Sequence, residues 1–95
     1  MLWRLRSDLP GRGKEEIARE LAPIVRALPA DTGVIRRVEV GMNTARIPEA
    51  YDMCVQAEFT DAQAFAVFLT HPAHLRLGVL LKDVRESWAV VDYEV

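Results

Sequence analysis

Apolar and polar residues alternate along residues 51–59, with the period typical of a β-strand that buries one face. One face of this segment carries Tyr51, Met53, Val55, Ala57 and Phe59. A β-branched run at 34–40 lies between two glycines, and shorter strands are predicted at 2–6 and 87–95. The sequence therefore predicts four strands, with residues 42–50 as a loop.

Apolar residues spaced by three and four positions predict a helix at 14–28. Its apolar face would carry Ile17, Leu21, Ile24, Val25 and Leu28. Pro23 lies inside this pattern and predicts a kink, because proline removes a backbone donor and clashes with the preceding turn. Pro29 helps to end the helix.

A second helical segment follows the 51–59 strand. Residues 60–63, Thr-Asp-Ala-Gln, match a capping box with Thr60 as the cap of a short helix that contains Phe65, Phe68 and Leu69. His71-Pro72 interrupts it, and Pro72 suits the first position of a further helix that runs to about residue 82. His71 is interpreted as a helix cap or hinge.

The element order β-α-β-β-α-β indicates an α+β, ferredoxin-like fold with an antiparallel four-stranded sheet. Helices would cover one face of that sheet. The last strand has Trp88 and Val90 on one face and Ala89, Val91 and Tyr93 on the other, and apolar residues of both parities surround Ile35. A sheet that is apolar on both faces predicts a homodimer, in which a second copy covers the second face.

Composition narrows the class of protein. The 95 residues suit a single domain, 1–95, and the net charge of −2 argues against a nucleic-acid partner. One cysteine excludes an internal disulfide, and no apolar run is long enough to span a bilayer. We therefore expect a cytoplasmic protein with no membrane partner, no metal and no cofactor.

Five motifs, in order along these elements, resemble the stress-responsive dimeric α/β-barrel (Dabb) family. They are Val-Glu-Val-Gly at 38–41, Tyr-Asp at 51–52, Glu-Phe at 58–59, His-Pro-Ala-His at 71–74 and Val-Val-Asp-Tyr-Glu-Val at 90–95. The resemblance implies a homodimer whose two sheets face each other as a dimeric α/β barrel. The family is functionally mixed and includes a plant polyketide cyclase that acts on a linear poly-β-keto thioester.

The resemblance also implies a role for one histidine. The cyclase members use the second histidine of His-Pro-Ala-His as an acid/base group, which corresponds to His74. Those members pair it with a tyrosine six residues earlier, where this chain has Phe68. Family members often carry a histidine in the first strand, and residues 2–6 contain none.

The residues themselves make His74 the candidate catalytic group. A helix N-terminus disfavours the charged imidazolium, which leaves a neutral ring that can act as a base or a hydrogen-bonding group. The structural alternative is that His74 bonds the backbone or packs beside Phe68. Cys54 is interpreted as a structural thiol, and Asp52 and Asp92 as strand-end or interface hydrogen-bonding groups.

An apolar set of residues is predicted to converge near His74 and line a small-molecule pocket. The set is Leu21, Met53, Val55, Phe68, Leu69, Leu77, Gly78 and Val90. The same residues suit a plain hydrophobic core, although Gly78, one turn after His74, favours a cavity. Two functions stay open: a non-catalytic dimeric protein that binds a ligand, and a cofactor-independent cyclase, lyase or isomerase for a small polyketide-like or aromatic carbonyl compound.

Overall fold

Four strands and four helices make up the computed structural model, which describes residues 1–95. In chain order they are β1 (Leu2–Leu5), α1 (Lys14–Arg26), α2 (Leu28–Thr32), β2 (Ile35–Met42), β3 (Met53–Phe59), α3 (Ala62–Thr70), α4 (Pro72–Val84) and β4 (Arg85–Ala89). The strands form one antiparallel sheet in the order β2-β3-β1-β4. This order confirms the predicted ferredoxin-like α+β fold.

The helices pack on one face of the sheet. Trp3 and Leu5 of β1 and Met53 of β3 are buried in the same cluster as Leu21 of α1 and Leu77 of α4. Burial of large apolar side chains of this kind stabilises a fold by about 1.5–3 kcal/mol each. The indole N–H of Trp3 is buried and has no hydrogen-bond partner.

The other face of the sheet, here called the open face, carries an apolar row across all four strands. Gly41 pairs with Cys54, Cys54 with Leu2, and Leu2 with Ala89. Successive side chains of a strand point to opposite faces, so Leu2 lies opposite its buried neighbour Trp3. Leu2 and Ala89 are exposed, and no helix of this chain covers the row.

The predicted 87–95 strand is too long at its C-terminal end. β4 begins at Arg85 and ends at Ala89, and residues 90–95, here called the C-terminal arm, form no strand. The reason is the register: Ala89 pairs with Leu2, the first residue of β1. Residues beyond Ala89 therefore have no neighbouring strand in this chain.

A bulge in β2 explains its irregular pattern. The β2–β3 register shifts between Ile35 and Arg37, so that Ile35, Val38 and Val40 all contact the core on the helix side. The expectation that β2 is apolar on both faces was therefore wrong. On the sheet, the open-face row and the arm that follows β4 remain as apolar surface that a second copy could cover.

Two helix ends differ from the prediction. α1 continues through Pro23 but ends at Arg26, and Pro29 lies in the first turn of the separate helix α2. The cap of α3 is Asp61 rather than Thr60, because the Asp61 carboxylate accepts a hydrogen bond from the Ala64 backbone N–H. Both residue types are good caps, and the carboxylate also suits the positive end of the helix dipole.

No single helix has the length and apolar character needed to cross a bilayer. α3 and α4 reach that length and apolar character only when taken together, and the two helices are bent by 59° at His71.

Candidate functional site

The junction of α3 and α4 places both histidines of the chain together. His71 has an extended backbone between the two helices, and its Nδ1 accepts a hydrogen bond of 3.0 Å from the Ala73 N–H. Pro72 occupies the first turn of α4, where its missing N–H costs nothing. His71 is thus the helix cap that the sequence predicted.

His74, in the first turn of α4, contacts the end of α3. Its Nδ1 lies 3.0 Å from the Leu69 carbonyl oxygen, one of the last carbonyls of α3. Because a carbonyl oxygen only accepts, Nδ1 carries the hydrogen, and in the neutral ring Nε2 keeps its lone pair. The ring therefore has a structural role through Nδ1 and a chemical capacity at Nε2.

An aromatic cluster leads from the sheet to His74. Phe59, at the end of β3, packs against Phe65 and Phe68 of α3 with ring centroids 5.2 and 5.3 Å apart. Phe68 in turn lies 4.4 Å from the His74 ring. Phe68, which stands where the cyclase members have a tyrosine, is therefore in contact with His74.

The predicted lining residues divide into a buried group and an exposed group. Leu21, Met53 and Leu77 belong to the core, and Val55 and Phe68 pack against it while half-buried. Leu69 and Val90 are 44% and 53% exposed, and Gly78 is exposed. Of this set, Phe68 packs against the His74 ring and the Leu69 carbonyl lies within hydrogen-bond distance of its Nδ1.

Asp52 has the strand-end role that the sequence predicted. Its carboxylate accepts a 2.7 Å hydrogen bond from the Leu5 backbone N–H and lies 3.3 Å from the Lys14 ammonium. It thereby joins β1, β3 and the start of α1. Cys54 is a free, half-buried thiol in the open-face row, and Asp92 is exposed in the arm.

Sequence reasoning missed a group of charged residues that meet at the end of α4. Arg6 and Asp8 follow β1, and Lys82, Arg85 and Glu86 lie at the α4–β4 junction. No periodicity or motif marks them, because charged residues at element ends are common in any soluble domain. Only the fold brings the two segments together. A metal site is not indicated, since no group of three His, Cys, Asp or Glu side chains is close enough to hold an ion.

The antiparallel strand order β2-β3-β1-β4, with helices packed on one face, defines a ferredoxin-like fold. The sequence profile of the stress responsive A/B barrel domain (Dabb) matches residues 1–95, and the chain belongs to this family. It is also similar to an uncharacterized protein of Streptomyces coelicolor. The two are 36% identical over an alignment of 86 positions, which covers 88% of this chain and 87% of the relative.

Solved structures agree with this fold. A dimeric ferredoxin-like protein of unknown function from Bacteroides fragilis has a TM-score of 0.85 and 35% identity, and the match covers 99% of this chain and 90% of that one. A dimeric ferredoxin-like protein from Jannaschia has a TM-score of 0.73 and 25% identity over 99% and 93% of the two chains. A third, from Thermobifida fusca, has a TM-score of 0.73 at 16% identity over 90% and 77%.

Proposed function

We propose that this protein is a homodimer that binds a small, largely apolar molecule beside His74, in the cytoplasm. The observation that carries the binding site is the state of the His74 ring. Nδ1 is held by the Leu69 carbonyl, Phe68 packs on the ring, and Nε2 is left to meet a ligand. A fixed polar atom next to aromatic surface is the usual composition of a small-molecule site.

The homodimer is supported by two surfaces that one chain leaves uncovered. One is the apolar row on the open face, and the other is the C-terminal arm, in which Val91 and Tyr93 are more than two-thirds exposed. The two surfaces meet at Ala89, which is the last residue of the row and the residue before the arm. A second copy that covers the open face would bury the row and part of the arm together. The dimeric state of the three similar structures supports the same arrangement.

Binding can be tested with acetophenone, a small aromatic ketone, by following the backbone amide signals of residues 68–78 in NMR spectra of the full chain. We expect saturable shifts of these signals, and an affinity at least about tenfold lower in His74→Ala. Such a loss equals about 1.4 kcal/mol of binding free energy. Leu75→Ala is the matched control, because Leu75 is an exposed neighbour on the same helix. Equal loss in both variants, or no saturable shift, would contradict the proposed site.

A cofactor-independent cyclase, lyase or isomerase is the second candidate. It is favoured by the lone pair on His74 Nε2, which can accept a proton from carbon next to a carbonyl group and return it as a general acid. Phe68 lacks the hydroxyl that a tyrosine would bring to the ring, so this reaction would depend on His74 alone. A synthetic poly-β-keto thioester offered to the parent chain and to Phe68→Tyr tests it. Cyclised product from the parent chain but not from His74→Ala is the expected result for an enzyme, and product from Phe68→Tyr alone would contradict it.

A further inference from the structure

A charged groove lies at the far end of α4 from His74. It has a volume of about 450 Å³ and is lined by Arg6, Ser7, Asp8, Lys82, Arg85 and Glu86. His74 and Lys82 are eight residues apart on α4, or roughly 12 Å along the helix axis. The charged groove is therefore a separate place on the molecule, and its role is independent of the function proposed for His74.

Hydrogen bonds hold the Arg6 side chain in place along one side of the groove. Its guanidinium donates to both carboxylate oxygens of Asp8 at 2.9 and 3.0 Å and to the Asp83 carbonyl at 3.4 Å. Its backbone N–H donates to the Val84 carbonyl at 2.8 Å. These bonds occupy carbonyls at the C-terminus of α4, whose negative partial charge would otherwise repel an anion.

Lys82 and Arg85 have no acidic partner within the chain, since the four ion pairs involve other residues. The Arg85 guanidinium lies 3.7 Å above the Trp88 ring, and partial burial lowers its pKa from the ordinary value. Arg6 and Asp8 neutralise each other. Lys82 and Arg85 are then balanced in charge by Glu86 and by Asp83, whose carboxylate also acts on Arg6. What the groove offers an anion is several N–H donors on Lys82 and Arg85 that no protein acceptor uses.

We propose that the charged groove binds the oxyanion group, carboxylate or phosphate, of a small molecule, and that Lys82 and Arg85 contact it. A planar guanidinium can bond two oxygens of such a group at once, and the ammonium adds a point charge. The Ser7 hydroxyl supplies one further donor on the same side of the groove.

The test titrates the full chain with inorganic phosphate and, separately, with acetate at low ionic strength, with backbone amide NMR as the readout. We expect saturable shifts confined to residues 6–8 and 82–86 with at least one of the two anions. The double variant Lys82→Gln, Arg85→Gln should bind that anion at least tenfold more weakly. Arg36→Gln is the matched control, because Arg36 is an exposed arginine on β2, outside the groove.

The two anions also separate the two ligand chemistries. Binding of phosphate alone assigns a phosphorylated ligand, binding of acetate alone a carboxylate, and binding of both an unselective oxyanion site. Lys82→Gln by itself serves if the double variant fails to fold, since the Lys82 side chain is exposed. The proposal is overturned if neither anion gives saturable shifts. It is also overturned if Arg36→Gln weakens binding as much as Lys82→Gln, because each removes one positive charge and the effect would then reflect net charge alone.

Discussion

At the scale of single residues, the Asp52 side chain accepts a hydrogen bond from a backbone N–H that strand pairing leaves without a partner. That side chain is 20% exposed and accepts the Leu5 N–H, which would otherwise be a part-buried donor without a partner. We expect Asp52→Ala to lower the free energy of unfolding by about 1–3 kcal/mol, the cost of an unsatisfied buried group. Asp52→Asn keeps an acceptor and should lose less. Urea denaturation of the two variants gives the comparison, and equal losses would show that the Lys14 charge pair matters more than the hydrogen bond.

The Arg6–Asp8 pair predicts a titration. The hydrogen bond from Arg6 holds the pKa of Asp8 below its ordinary value. A lowered pKa in the folded state means that the unfolded chain binds the proton first as the pH falls. Any stability from this pair is thus fully present above about pH 4 and is lost as the pH falls through the folded pKa. Carboxyl NMR should show the pKa of Asp8 rising in Arg6→Gln and unchanged in Arg36→Gln.

At the scale of helices and strands, local patterns predicted the elements well and their ends less well. All four strands and the helices around His71 follow from periodicity and caps. The errors occur where two residues compete for one role, as Thr60 and Asp61 do for the α3 cap. They also occur where strand pairing determines the end of a strand. The residues after Ala89 have a strand-like pattern, but no neighbouring strand extends that far in one chain.

Gly78 offers a direct test at this scale. It lies inside α4, and an added Cβ would meet nothing within 4 Å. Because glycine is about 1 kcal/mol less favourable than alanine inside a helix, Gly78→Ala should raise the free energy of unfolding by roughly that amount. If a ligand approaches Gly78 beside His74, the same variant should bind acetophenone more weakly while being more stable. Destabilisation in urea would show that this surface is packed in the dimer.

At the scale of the whole molecule, the fold follows from sequence because the strands and the longer helices each carry a local signal. The short helix α2 was not predicted as a separate element. The charged groove does not follow from sequence, because it joins residues 6–8 to residues 82–86, and no pattern links segments so far apart. The surroundings of His74 are intermediate. The motif and its cap are local, whereas the contact with Phe68 depends on the bend between α3 and α4. Core burial of Leu21 and Met53 depends on how the sheet and helices meet.

The proposed homodimer predicts the molecular mass of the protein in solution. Light scattering at micromolar concentration should give about twice the 10.7 kDa chain mass. Removal of the C-terminal arm after Ala89 should raise the dimer dissociation constant by at least about tenfold, or about 1.4 kcal/mol, because Val91 and Tyr93 would no longer be buried. A truncated chain that associates as tightly as the parent would exclude the arm from the interface. A monomeric parent would rule out the barrel.

The pairing of Trp3 with Trp88 on neighbouring strands gives the protein two optical reporters of opposite kind. Trp3 is 2% exposed, so its emission should be blue-shifted and insensitive to iodide, whereas Trp88 is 54% exposed and should be quenched. Iodide quenching therefore separates two emission signals. The Trp3 signal follows global unfolding, and the Trp88 signal responds to the Arg85 guanidinium above the Trp88 ring. A change at the groove would alter the quenchable fraction alone, without any added label, and Trp88→Phe should remove that fraction.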